Sequence, residues 1–189
     1  KVYDGTELTC DTPVDISTGD DVGLVSNQII DITTDGTIID VDTKINKIIE
    51  IHIYIGTDEV TSNYSITLED GMLEVTKRPI TITAASDTKV YDGTALTNPG
   101  YAVTSELKVV DGETLICVVE GSRIDAGTAP NVITSYTITK TSGDSTDNYE
   151  VTRVDGILEV TKRAITITAA SDTKVYDGTA LTNTGYDVT

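Results

Sequence analysis

Apolar and polar residues alternate along several short segments of the chain. In IIEIHIYI (48–55), isoleucine occupies every second position from Ile49 to Ile55, and in ITITA (80–84) isoleucine alternates with threonine. A period of two residues is typical of strands that bury one face. No segment shows the longer period of a helix. The pattern therefore predicts an all-β protein built from antiparallel strands.

Asp-Gly dipeptides separate many of these segments. They lie at 4–5, 35–36, 70–71, 92–93, 111–112, 155–156 and 177–178. Asp-Gly favours the positive φ angles of two-residue hairpin turns. A hairpin at 155–156 would place Val151 opposite Val160, on one apolar face. The same rule would place Leu68 opposite Leu73 at the equivalent dipeptide of the preceding repeat, so the sequence predicts a hairpin at both places.

The chain contains a long internal repeat. The hexapeptide KVYDGT begins at Lys1, Lys89 and Lys174, and segments 62–101 and 147–186 are identical at 32 of 40 positions, 85 residues apart. Solenoid units are shorter, at roughly 20–50 residues. The period therefore predicts small domains in tandem rather than a solenoid.

Three domains follow if the joints lie at Lys77-Arg78 and Lys162-Arg163. Residues 1–77 are the first repeat, without its first strand, 78–162 are a complete second repeat, and 163–189 are the N-terminal fragment of a third. Joints of two or three residues predict a stiff connection. We expect the ITITA strand of 163–189 to pair with an exposed sheet edge, by strand exchange between neighbouring chains.

The number of turns suggests the architecture. Turn signals at this spacing indicate about seven or eight strands per repeat. The favoured fold is a series of small antiparallel β-sandwich-like (Ig-like) domains in tandem. The alternative is a series of β-grasp-like repeats with a mixed sheet.

The charge balance narrows the range of partners. The chain has 13 basic and 31 acidic residues and a net charge of −18. Nucleic acid binding needs a basic surface, so nucleic acid is not expected as a partner. The segment contains neither an apolar span nor a signal peptide, so it is not expected to insert into a membrane. Cys10 and Cys117 lie at non-equivalent positions outside any CxxC motif, so a metal or redox role is not expected.

Residues for catalysis are missing from the sequence. His52 is the only histidine, and it lies on the polar face of its predicted strand, where a plain surface role is expected. Neither a triad nor a Gly-x-Ser-x-Gly elbow can be formed. The acidic clusters at 19–21, 40–42 and 144–148 fit solvated turns, with a weak calcium site as the alternative. The sequence therefore assigns no catalytic, cofactor-binding or metal-binding residue, and no cofactor.

Most tyrosines recur in each copy of the repeat. The recurring positions are Tyr3, Tyr91 and Tyr176, Tyr101 and Tyr186, and Tyr64 and Tyr149. Recurrence favours a framework role with a packed ring and a hydrogen-bonded hydroxyl. Tyr91 in particular is predicted to pack its ring against its own domain. Tyr54 and Tyr136 occur in one copy each and are better candidates for contact with a ligand.

The repeated motif resembles a known family. The pattern NYxxTxxxGxLxVTKRxITITAxSxTKVYDGTxLT, which runs through 63–97 and 148–182, is similar to the tandem YDG/MBG-type repeats of large bacterial surface proteins, as is GSRIDAGT at 121–128. The resemblance covers essentially the whole chain. It implies an extracellular location on a bacterial cell surface and supplies no catalytic residue.

Two functions follow from this resemblance. The first is a non-catalytic structural stalk or spacer of an adhesin-like protein, whose full-length form contacts a host glycan or protein. The alternative is a weak adhesin module that binds mucin, glycan or a host surface protein through multivalency. A third hypothesis, an intramolecular Lys–Asn isopeptide bond, has no residues that the sequence identifies.

Overall fold

The computed structural model describes residues 1–10 and 23–189. Strands make up 51% of the structure, and no helix of seven or more residues occurs in these two ranges. The predicted all-β fold is therefore confirmed. The strands of the first copy are β1 (Leu8–Thr9), β2 (Gln28–Thr34), β3 (Thr37–Ile38), β4 (Asp42–Asn46), β5 (Ile48–Ile55), β6 (Asp58–Glu59) and β7 (Gly71–Val75).

The second and third copies continue the series. The strands are β8 (Arg78–Ala84), β9 (Asp87–Val90), β10 (Tyr101–Val103), β11 (Thr114–Glu120), β12 (Gly127–Lys140), β13 (Gly143–Asp144), β14 (Tyr149–Val154), β15 (Gly156–Thr161), β16 (Ile167–Ala169) and β17 (Tyr186–Val188). Short 3-10 turns at Thr61–Asn63 and Thr146–Asn148 are equivalent positions of the first and second copies.

The chain divides into two compact units. Unit 1 comprises Lys1–Ile82, Val103–Cys117 and Ser135–Arg153, and unit 2 comprises Thr83–Ala102, Val118–Thr134 and Val154–Thr189. Each unit thus draws on more than one copy of the sequence repeat. The three domains expected from the repeat stay a prediction, because compactness alone does not show which segments fold independently.

Unit 1 contains antiparallel sheets and a buried apolar cluster. Strand β5 pairs with β2 and β6, and β4 pairs with β7. The core cluster consists of Tyr3, Val75, Ile80, Ile138 and Tyr149. Side chains of the first and second copies therefore share this core.

Unit 2 contains a mixed sheet. Strand β15 pairs antiparallel with the first part of β12, from Gly127 opposite Val160 to Asn131 opposite Gly156. On its other edge it pairs in parallel with β9, where Thr161 lies opposite Val90. Parallel pairing was part of the alternative, mixed-sheet prediction only.

The predicted period of two holds in β8. Ile80, Ile82 and Ala84 are buried, and the residues between them are half-buried. In β5 the prediction is correct only at the centre, since Ile53 is buried while Ile49 and Ile55 are exposed.

The two predicted hairpins are wrong. Strand β14 pairs with β8, in a sheet of order β10-β8-β14, whereas β15 pairs with β12 and β9. In the first copy β7 pairs with β4, and residues 64–70 belong to no strand. The apolar alternation of both arms was real, but in the second copy the two arms pair with different strands, and in the first copy residues 64–70 pair with none of the described strands.

Candidate functional site

The KVYDGT loop has one arrangement, which is clearest in the second copy. The ammonium group of Lys89 donates to Asp92 Oδ1 at 2.8 Å and to the carbonyl and hydroxyl oxygens of Thr94, both at 2.7 Å. Asp92 Oδ1 also accepts from the Thr94 backbone amide at 2.9 Å. Gly93 has φ +81°, which suits glycine. The loop is a side-chain-capped turn.

The same contacts recur in the other two copies. Lys1 donates to Asp4 at 2.7 Å, and Lys174 donates to Asp177 at 2.8 Å. The lysine and the following threonine lower the pKa of each aspartate, to about 2 at Asp177. Because the lysine, aspartate and threonine side chains of the motif bond one another within their own turn, this part of the motif is local structure rather than a presented chemical group.

The motif tyrosines have different environments in the three copies. The exposed fraction is 0% for Tyr3, 39% for Tyr91 and 92% for Tyr176. The framework role predicted for this position is therefore fulfilled by Tyr3. The Tyr91 ring, which is predicted to pack against its own domain, is partly exposed, and its packing stays a prediction.

The polar cluster around Tyr3 resembles a reactive site more than any other described part of unit 1. The hydroxyl groups of Tyr3 and Tyr149 donate to Oε1 and Oε2 of Glu113, each at 2.5 Å. Ser145 Oγ donates to Glu113 Oε1 at 2.8 Å. The two rings pack edge to face with centroids 5.7 Å apart. One carboxylate therefore joins three hydroxyl groups from both copies.

A simpler form of this contact exists in the first copy. Tyr64, the equivalent of Tyr149, donates its hydroxyl to Gln28 Oε1 and accepts the Val25 amide at 3.1 Å. In the second copy Tyr149 accepts the Val110 amide at 2.9 Å. Gln28 lies 85 residues before Glu113, so the two residues occupy equivalent positions of the repeat. The tyrosine contact recurs with the neutral amide of Gln28 in place of the Glu113 carboxylate, which indicates that the contact is structural.

Asp40 extends the cluster at the surface of unit 1. Its Oδ1 accepts from the Lys140 ammonium and, at 2.8 Å, from Asn148 Nδ2. Asn148 Oδ1 in turn accepts the Val41 amide at 2.8 Å. Lys140 also lies 5.8 Å from the centroid of the Tyr3 ring.

A lysine, an acid and an asparagine thus meet, which is the residue set that the isopeptide hypothesis requires. The Asp40 carboxylate raises the pKa of Lys140, so the amine is held in its charged form. A protonated amine has no lone pair for attack on an amide. The group is therefore an ion pair with a hydrogen-bonded amide.

Burial and Glu113 set the titration of the tyrosines. The pKa of Tyr149 is raised well above its usual range. Burial of the phenol is the larger cause, and the hydrogen bond to Glu113 adds to it. The pKa of Tyr3 is raised by the same two causes in the same order. Both phenols are therefore held in their neutral, hydrogen-donating form.

The remaining predicted positions are half-buried or exposed. His52 Nδ1 lies 3.0 Å from Glu59 Oε1, which raises the pKa of the imidazole, and its ring stacks on Tyr54 at 6.0 Å between centroids. Tyr54 and Tyr136 are half-buried. Cys10 and Cys117 are free thiols, and burial raises the pKa of Cys117.

Described members of the acidic clusters, such as Asp40 and Asp144, are engaged in hydrogen bonds. Residues 19–21 lie outside the described residues. Asp144 Oδ1 accepts the amide of Thr146, two residues further along, at 2.8 Å, which is a local turn contact. Within 1–10 and 23–189, no group of three or more acidic, cysteine or histidine side chains has the geometry of a metal site. Nor is any helix there long and apolar enough to cross a membrane.

The KVYDGT turn and the tyrosine contacts recur from copy to copy, and a comparison with known protein families agrees with a repeated domain. Residues 80–159 match the family described as the MBG domain (YGX type). This segment is an MBG-type domain. The resemblance seen in the sequence is confirmed over this range, and MBG domains are a non-catalytic repeat family. No curated protein and no solved structure is significantly similar to the chain.

Proposed function

We propose that the chain is a spacer segment of a stalk, in an adhesin-like protein on the outside of a bacterial cell. Its MBG segment supports a repeat module of this kind. The net charge of −18 supports a well-solvated exterior. In this role the chain performs no chemistry and holds other parts of a longer protein away from the cell.

The observation that carries the proposal is the shared core of unit 1. Tyr3 and Val75 come from the first copy, and Ile138 and Tyr149 come from the second, yet all belong to one buried cluster. Between β7 and β8 only residues 76–77 intervene. Copies joined through a common core resist bending at their joint, whereas a long polar linker would allow it. A stiff joint is what a spacer needs.

A distance measurement between the two copies tests this proposal. Spin labels are placed at Thr43→Cys and Glu106→Cys, two exposed positions of unit 1, with both native cysteines changed to serine. We expect a narrow distance distribution by double electron–electron resonance. A broad distribution would show a flexible joint and overturn the spacer proposal.

Exposed aromatic rings favour a second candidate, the weak multivalent adhesin. Tyr91 and Tyr101 of the second copy are 39% and 36% exposed, and aromatic faces are common contacts for sugars and peptides. A mucin-binding and glycan-array assay with the chain clustered on beads separates the two functions. Saturable binding that Tyr91→Ala abolishes would favour the adhesin, and no binding at any density would leave the spacer.

A further inference from the structure

Two strands from opposite ends of the MBG segment pair in parallel. Strand β9 lies near the start of the segment and β15 lies at its end. Their register runs from Asp87 opposite Leu158 to Val90 opposite Thr161. Beyond the last pair, the Tyr91 amide donates to the Thr161 carbonyl at 2.9 Å. The chain therefore enters this ladder at one end, at Asp87, and leaves it at the other end, at Thr161.

Strand β15 is held on both edges and on one face. Its second edge pairs antiparallel with the first part of β12, where Ala129 lies opposite Leu158. Leu158 and Val160 are 0% and 1% exposed, and they form a buried cluster with Leu96. Lengthwise movement of β15 would therefore break both ladders and expose this apolar cluster to water at the same time.

The same parallel contact occurs in the first copy, within unit 1. Val2 and Thr76 form a parallel bridge. The Tyr3 amide donates to the Thr76 carbonyl at 2.9 Å, as the equivalent amide of Tyr91 does to Thr161 in the second copy. The parallel contact between an early and a late segment is therefore a property of the repeat and not of one copy.

Parallel pairing determines how these two strands respond to tension. A pull along the chain draws the start of β9 backwards along its axis and the end of β15 forwards along its axis. The two forces are opposed and lie along the ladder, so they shear it. Shear loads the hydrogen bonds of a ladder together, whereas forces applied to two paired strands at the same end separate the bonds one after another.

We propose that the β9–β15 ladder is a mechanical clamp, which makes the MBG segment a load-bearing module. A clamp slows unfolding under tension, because forced unfolding is governed by the rate at which the barrier is crossed and not by the free energy of unfolding. Strand β8 precedes β9 by residues 85–86, so load that displaces β8 passes next to β9. The use of this clamp rests on the proposed spacer function, since a spacer between a cell and an attached surface transmits tension.

Single-molecule pulling in two directions tests the clamp. DNA handles are attached to exposed cysteine pairs, with both native cysteines changed to serine. The shear pair is Asp87→Cys with Lys162→Cys, and the peeling pair is Val90→Cys with Lys162→Cys. Because Lys162 follows Thr161, the first pair lies at opposite ends of the ladder and the second pair at the same end. We expect a rupture force at least about twofold higher in the shear direction, at equal pulling speed.

A second comparison removes one hydrogen bond at the end of the ladder. Tyr91→Pro loses the amide that donates to Thr161, whereas Tyr91→Ala loses the same ring and keeps the amide. In the shear direction, the proline variant should rupture at a lower force than the alanine variant. Urea unfolding of every labelled chain reports its stability, so that a loss of force is separated from a loss of folding.

Equal rupture forces in the two pulling directions would overturn the clamp, and so would equal shear forces for the two Tyr91 variants. Neither result depends on the joint between the copies. The spacer proposal is decided by the distance distribution across that joint, so the two proposals can fail separately.

Discussion

Gly156 lies so close to Ala85 that a Cβ atom on the glycine would be 2.3 Å from the Ala85 carbonyl oxygen. That same carbonyl accepts a hydrogen bond from Asn131 Nδ2 at 2.9 Å, and Asn131 is fully buried. Three segments of unit 2 thus meet where backbone approaches backbone. The Asp155-Gly156 dipeptide uses its glycine for this approach and not for a hairpin turn.

Gly156→Ala should destabilise the protein strongly. Overpacking of this kind costs about 1–3 kcal/mol or more, because backbone atoms cannot move aside as a side chain can. Urea unfolding measures the change. The control is Gly71→Ala at the equivalent position of the first copy, where the nearest atom to a Cβ is 3.7 Å away. Equal stability of the two variants would contradict the close approach.

Glu113→Gln should reduce the free energy of unfolding by about 1–3 kcal/mol, the cost of leaving a buried polar group without its partner. Glu113 accepts from Tyr3 and Ser145 on one oxygen and from Tyr149 on the other. An amide has only one accepting oxygen, so one hydroxyl group loses its acceptor. Gln28 serves the first copy because its single accepting oxygen, Oε1, meets only one hydroxyl group there, that of Tyr64, besides the Val25 amide.

Chemical denaturation of Glu113→Gln measures this loss. Glu106→Gln is the matched control, since Glu106 is exposed, and it should leave stability unchanged. Similar unfolding midpoints for the two variants would show that the carboxylate does not hold the cluster together.

Stability should fall steeply above pH 10. Burial and Glu113 raise the pKa of Tyr149 in the folded state, whereas an unfolded tyrosine titrates near pH 10. The contribution is fully present below pH about 10 and is lost as the pH rises through the folded value. Urea unfolding between pH 8 and pH 11 measures the slope, and absorbance at 295 nm follows the phenols. Tyr149→Phe should have a shallower slope, and an unchanged slope would contradict this assignment.

Asp92→Asn should lower the melting temperature at neutral pH and have no effect in strong acid. Lys89 and Thr94 lower the pKa of Asp92 in the folded state. The stabilisation is therefore present above the unfolded pKa of about 3.9 and is lost as the pH falls through the folded value. Calorimetry at pH 7 and at decreasing acid pH compares the two proteins. Asp87→Asn, with an exposed aspartate on β9, is the control, and a loss that persists at all pH values would argue against the ion pair.

The strand pattern and the repeat were readable from the sequence, and so was the local nature of KVYDGT. A lysine, an aspartate and a threonine within six residues can satisfy one another without any distant partner, so all three copies form the same turn. The equivalence of Gln28 and Glu113 at the repeat offset was a signal that the sequence contained, and it would have located the tyrosine cluster.

Distant pairing was not readable, because identical local sequence permits different partners. The hairpins at the two Asp-Gly dipeptides were predicted from alternation, which specifies a buried face but not the strand that covers it. Alternation and turn chemistry therefore determined the strands, since these depend on neighbouring residues. Tertiary structure alone decided which of them are covered, because burial depends on segments far away in the chain.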